Sequence, residues 1–189
     1  MRKSREETAT TRRRIIESSA RELRRLGIDG SGLTGLMAAA GLSQGGFYKH
    51  FTSKAQLVAE SVEVGVEGLI GGLQRLLADS DKGRGFATLV SGYLSQAHRD
   101  GDAGCPYAGL GSELARADEP VRGAAIEGFE RMVGLLAEQL DEQGDKGARE
   151  QALFAMCAMM GAVTVSRMAE GRTLADEVLD VVGSRLRGD

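Results

Sequence analysis

The 189 residues contain no tryptophan, only two prolines, two cysteines and two histidines, and 4% aromatics. Each scarcity excludes something. So few prolines leave long helical stretches unbroken. The two cysteines, Cys105 and Cys157, offer no disulfide framework and point to a reducing, cytoplasmic location. The two histidines, His50 and His98, belong to no cluster with metal-ligand spacing. Neither a phosphate-binding glycine motif nor a nucleophile elbow is present. Catalysis would have to rest on Cys105 with a distant base, so the expectation is of a non-enzyme without cofactor or metal. Residues 1–14 are polar and lack the apolar core of a secretory signal. The longest apolar run, residues 152–165, is too short to span a bilayer, so no membrane partner is expected.

What is present is an ordinary globular mixture, 42% hydrophobic and 27% charged, long enough for one or two small domains. Glycine is the exception: 27 residues, twice the usual share of ~7%. Gly65, Gly68, Gly71 and Gly72 fall inside a helical pattern, each at a cost of roughly 1 kcal/mol against alanine. Close helix crossings or a pliable pocket are expected there. The net charge of -3 is unevenly divided, +6 over residues 1–54 and -9 over the rest. A basic end on an acidic body is the charge pattern of a nucleic-acid reader whose remaining part avoids the polyanion.

Apolar periodicity predicts an all-α chain of about nine helices. The first runs from about Thr11 to Gly27, with Ile16, Ala20 and Leu23 inward and Gly27 as a left-handed stop. Arg2, Lys3 and Arg5 precede it as a mobile basic arm. Ser31 is the expected cap of a second helix with Leu33, Leu36, Met37 and Ala40 inward, and Ser43 of a third over residues 44–51. Ser53 caps a long fourth helix to Ala78, its stripe formed by Leu57, Val58, Val62, Val66, Leu69, Leu73 and Leu76. Further helices are expected over residues 86–98, 105–117, 118–143 (with Pro120 in the first turn), 148–170 and 174–186.

Residues 27–54 carry the chemistry. Two short helical patterns flank Ala40-Gly41-Leu42-Ser43, a glycine-containing turn of the helix-turn-helix kind. The second places Gln44, Tyr48, Lys49 and His50 on two turns, while Phe47 and Phe51, at i and i+4, hold it to the domain. The turn, the run Gly46-Phe47-Tyr48-x-His50-Phe51, the helix start at Ser31 and the pair Ser53-Lys54 resemble the tetracycline-repressor (TetR) family of bacterial transcription regulators over about residues 10–60. That resemblance implies a DNA-binding domain over residues 1–53 and a helical ligand-binding and dimerisation domain over 54–189. It further implies phosphate contacts from Ser31, Tyr48, His50 and Lys54, and groove-facing positions at Ser43, Gln44, Gly45, Gly46 and Lys49. Gln44 can pair with adenine and Lys49 with guanine, whereas Gly45 and Gly46 offer the backbone alone, so DNA shape must contribute.

The implied partners are a double-stranded operator, a small-molecule inducer and a second copy of the chain. Phe86, Tyr93, Tyr107, Phe129, Met132, Met156, Met159 and Met160 recur at helical spacing, either as plain core or as the wall of an apolar inducer pocket. Cys105 opens a helix in a stretch resembling electrophile-sensing members of the family. It is either a thiol activated by the helix dipole or an inert packing cysteine. Cys157, inside the apolar helix, is expected to be structural. The helices over 148–170 and 174–186 are the expected dimer interface, although the first could equally be the central helix of the body. The leading reading is a ligand-released repressor; an adaptor whose head binds protein is the alternative.

Overall fold

The computed structural model describes residues 5–101, 104–142 and 146–189. Among them the chain forms nine α-helices and one 3-10 helix, without strands. They are Arg5–Leu26 (α1), Leu33–Ala39 (α2), the 3-10 recognition helix Gln44–Lys49, Lys54–Ala78 (α3), Gly85–Tyr93 (α4), Gln96–Asp100 (α5), Pro106–Leu114 (α6), Glu119–Asp141 (α7), Ala148–Met168 (α8) and Leu174–Arg187 (α9).

Local signals set most boundaries. Gly27, at φ +80, ends α1 and donates its N–H to Leu23 O at 2.8 Å. Gly41, at φ +70, ends α2: its N–H reaches Ala38 O and that of Leu42 reaches Met37 O at 3.0 Å, a Schellman closure. Ser53 accepts from Gln56 N at 3.1 Å, and Gln56 Oε1 returns the contact to Thr52 N at 2.8 Å. Pro120 sits in the first turn of α7, where its missing N–H costs nothing.

Other boundaries depart from the pattern. Arg5 belongs to α1 and not to an arm, while Arg2 and Lys3 lie outside the described residues. The cap position of α2 is Gly32, because the Ser31 hydroxyl is spent on Gly27 O at 2.6 Å. The predicted helix over 86–98 is two: Ser95 accepts from His98 N at 3.1 Å and starts α5. α7 ends at Asp141, and Gln143, its expected end, is outside the described residues.

α3 is the spine. Its buried stripe, Leu57, Val58, Ser61, Val62, Val66, Leu69, Ile70 and Leu73, packs on α1 of the N-terminal unit and on α7 of the C-terminal one. α7 packs on α8 and α8 on α9, and one apolar cluster runs from Ile15 to Leu179. By length and composition α8 could cross a membrane, yet it packs against α6, α7 and α9 and buries Ala152, Ala155, Met156, Met159, Ala162 and Val163.

Of the four glycines of α3, only Gly65 faces a neighbouring element, where a Cβ would lie 3.1 Å from Arg24 Nη1. Gly68 meets nothing within 4 Å, and Gly71 and Gly72 face only Arg75 of their own helix. At Gly128 of α7, by contrast, a Cβ would lie 2.6 Å from Tyr107 Oη and 2.9 Å from Val66 Cγ1. Tyr107 is fixed there by its bond to Ala125 O at 2.9 Å. Gly128→Ala should therefore lower stability in urea unfolding, since overpacking costs roughly 1–3 kcal/mol against a helix-propensity gain of about 1. Gly134→Ala, on the same helix with nothing within 4 Å, should raise it. Shifts of the same sign in both variants would contradict the crossing.

Candidate nucleic-acid interface

The recognition helix is two-faced. Phe47 is fully buried and Phe51 almost so, their rings stacked at 5.5 Å, while Tyr48 is 77% exposed and meets Phe47 edge-on at 5.1 Å. Ser43, Gln44, Gly45 and Lys49 are exposed, and Gly46 and His50 half-exposed. The six residues are 3-10 and not the expected two α turns. Gly45 and Gly46 supply little helix propensity, and a stretch this short readily takes the 3-10 form. Ser43 occupies the cap position without a side-chain capping bond. Gln44 is held from α2, where the Thr34 hydroxyl donates to its Oε1 at 2.7 Å. Its NH2 group and a second oxygen lone pair remain for a base edge.

Arg12 fixes this element from behind, while Lys54, Ser31 and Glu113 hold the loop after α1. Arg12 of α1 lies over the Phe51 ring at 4.7 Å, donates to His50 O at 3.2 Å and pairs with Glu60 of α3 at 2.6 Å. Lys54, in the first turn of α3, donates to Ile28 O at 3.0 Å, so one of its three donors serves the turn after α1. That first turn has no acidic side chain, leaving the positive end of a 25-residue helix beside the ammonium, a setting that favours an anion. Ser31 is different: at 2% exposure and bonded to Gly27 O, it braces the loop. Glu113 of α6 accepts from Asp29 N at 2.9 Å and ties the same loop to the C-terminal unit.

The candidate pocket residues are packed among themselves. Phe86, Tyr93, Cys105, Tyr107, Met132, Met156 and Met159 are buried in the central cluster, and Phe129 and Met160 lean on it half-buried. A surface cavity of about 890 Å³ lies elsewhere, bounded by Leu76, Arg84, Ser91 and Arg187, with Phe86 at its edge. Cys105 does cap α6, but it is wholly buried and shares a hydrogen bond with Tyr93 Oη at 2.7 Å. Burial pushes its thiol above the ordinary value. The Tyr93 hydroxyl, the N–H groups of Ala108 and Tyr107 and the charge of Arg167 pull the other way without prevailing. Of the two readings open from the sequence, the enclosed packing cysteine matches this burial better than the dipole-activated thiol. Cys157, expected to be structural, stands exposed on α8 and is not part of this chain's own core.

A basic N-terminal unit presenting an exposed turn on a phenylalanine anchor is joined by one long helix to a helical body. Two family models match this arrangement, "Bacterial regulatory proteins, tetR family" over residues 15–61 and "Transcriptional regulator LmrA/YxaF-like, C-terminal domain" over residues 84–179. The chain belongs to the TetR family of transcriptional regulators. It is thus a DNA-binding regulator and not an enzyme. A TetR transcriptional regulator from Chloroflexus aurantiacus J-10-FL superposes with a TM-score of 0.82 at 21% identity, covering 97% of this chain and 95% of that one. One from Cytophaga hutchinsonii gives 0.81 at 21%, covering 100% and 98%. The reduced form of Escherichia coli NemR gives 0.78 at 21%, covering 92% and 95%. At these identities the likeness is one of fold. No curated protein is similar enough to match.

In this TetR-family regulator, sequence reasoning missed Arg12 and Thr34. Arg12 is one of three consecutive arginines, and only its contacts 38 and 48 residues away single it out. Thr34 is an exposed polar residue on a seven-residue helix, a pattern that signals solvent.

His98 yields a prediction. Its Nδ1 faces Tyr93 O at 2.5 Å and its ring lies 4.5 Å from that of Tyr93, while Nε2 is buried without a partner among the described residues. Burial first, with Arg167 assisting, holds its pKa below the ordinary 6.5 despite the opposing bond to Tyr93 O. Stability from neutral His98 is fully present above the ordinary value and is lost as pH falls through the lowered, folded one. The melting temperature should fall between about pH 7 and about pH 5, and His98→Gln should flatten that dependence. An unchanged profile in the variant would remove His98 as its cause.

Proposed function

We propose that this TetR-family chain is a cytoplasmic homodimeric repressor. Residues 1–53 form the DNA-reading head and residues 54–189 the body that dimerises and binds ligand. The observation that carries the reading is the recognition turn: Gln44, Tyr48 and Lys49 stand exposed over buried Phe47 and Phe51 on a unit of charge +5. Ser43, Gln44, Gly45, Gly46 and Lys49 face the major groove, while Tyr48, His50 and Lys54 hold phosphates. Ser31 shapes the loop that carries these contacts.

One head covers too few base pairs for specificity. Two, related by a two-fold axis, read a near-palindromic operator with half-sites roughly 34–36 Å apart or somewhat more. α8 and α9 supply a face for the second copy. Phe154 (70% exposed), Cys157, Gly161, Val165 and Met168 (82%) recur on one side of α8, with Leu174 and Val181 exposed on α9. Such a stripe exceeds what a monomer ordinarily leaves in water.

Release follows when a small apolar or electrophilic ligand favours a body conformation whose head spacing no longer fits. Couplings of this kind amount to about 1–3 kcal/mol. The adaptable methionines Met132, Met156 and Met160, with Phe86, Tyr93, Tyr107 and Phe129, are the walls such a ligand would part. An electrophile reaches Cys105 only after the start of α6 opens, because the thiol is enclosed.

Selection of DNA fragments by the purified protein tests the reading. Lys54→Ala should weaken binding across the selected sequences and reduce the slope of log K against log salt by about one. An unaltered slope would take Lys54 off the phosphates. In sedimentation, Phe154→Asp should convert a dimer to monomers and lower operator affinity together. A wild-type protein that is monomeric at working concentration would overturn the two-headed arrangement.

A further inference from the structure

Where α1 meets the body, a cavity of about 300 Å³ opens between α1, α5, the segment leading into α6, and α8. Its lining brings together Arg21, Arg24 and Arg25 of α1, Arg99 of α5 and Arg167 of α8 against two carboxylates, Glu22 and Asp100. The lining charge among the described residues is +3. The carboxylates are already engaged. Arg25 grips Glu22 through two bonds at 2.7 and 3.3 Å, and Arg99 grips Asp100 through two at 2.6 and 2.8 Å. Arg167, half-buried, spends its Nε on Arg99 O at 3.0 Å and makes no ion pair among the described residues, and neither does Arg21. The backbone is shaped around these guanidinium groups. A Cβ at Gly104 would collide with Arg167 Nη2, and one at Gly65 of α3 would lie 3.1 Å from Arg24 Nη1.

We propose that this junction is a binding site for a small oxyanion, a carboxylate- or phosphate-bearing metabolite, distinct from both the DNA surface and the apolar body. Cations gathered in a partly desolvated cleft repel one another unless an anion joins them, and arginine forks match the two oxygens of carboxylate or phosphate. The volume corresponds to about ten waters, room for a small dianion and not for a nucleic-acid strand. The DNA is also distant: Arg21 lies nine residues, roughly 13 Å, along α1 from Arg12, which touches the recognition helix. An anion held between Arg21 and Arg167 bridges the helix that carries the head to the body. It does so beside α6, whose far end already holds the head loop through Glu113 and Asp29 N at 2.9 Å.

The test is calorimetric titration of the full chain with inorganic phosphate and, separately, with succinate, at constant ionic strength held by potassium chloride. Saturable binding of at least one is expected, and whichever binds tighter identifies the anion class. Arg21→Gln, an exposed change that leaves the fold alone, should weaken it severalfold, and Arg167→Gln at least tenfold. Lys49→Ala should leave it unchanged, which separates this site from the DNA surface and keeps its failure distinct from failure of the operator reading. The proposal falls if chloride alone reproduces the heat, if Arg21→Gln and Arg167→Gln bind as the wild type does, or if Lys49→Ala abolishes the binding.

Discussion

Everything in this fold leans on the sharing of α3 between two groups of helices. Its apolar stripe cannot serve α1 without also serving α7, because both press on residues of one rigid 25-residue element. A close-packed interior passes on displacement and does not absorb it. At the crossing by Gly128, Val66 and Tyr107 leave no space for a methyl group. Arg12, paired with Glu60 of α3, in turn ties this element to the back of the recognition helix through His50 O.

Electrostatics divides the same molecule along a different line. The basic first 54 residues and the acidic remainder give it poles of opposite sign. The apolar stripe of α3 joins the two, and polar contacts flank that seam: Glu113 with Asp29 N, and the arginine-lined cleft beside Arg167.

Much of this was legible in the chain itself. Gly27, Gly41, Ser53 and Pro120 punctuate helices by chemistry confined to their own turn, so their roles survive any tertiary setting. The helix-turn-helix was readable for the same reason, its glycine turn and phenylalanine pair being spaced within a few residues. Ser31, Ser43 and Ser95 mark the limit of such reasoning. All three are good caps by type, yet only Ser95 caps, since Ser31 has a nearer acceptor in Gly27 O and Ser43 makes no capping bond.

The order of helices, the two-faced recognition turn and the separation of charge were determined by sequence, because periodicity, turn chemistry and formal charge are properties of neighbouring residues. Tertiary structure alone decided that Cys105 is sealed against Tyr93 while Cys157 faces out, that Arg12 among three arginines supports the recognition helix, and that arginines up to 146 residues apart in sequence face one cavity. Exposure and long-range pairing depend on which surfaces meet, and that is settled by packing many helices at once, not by any one of them.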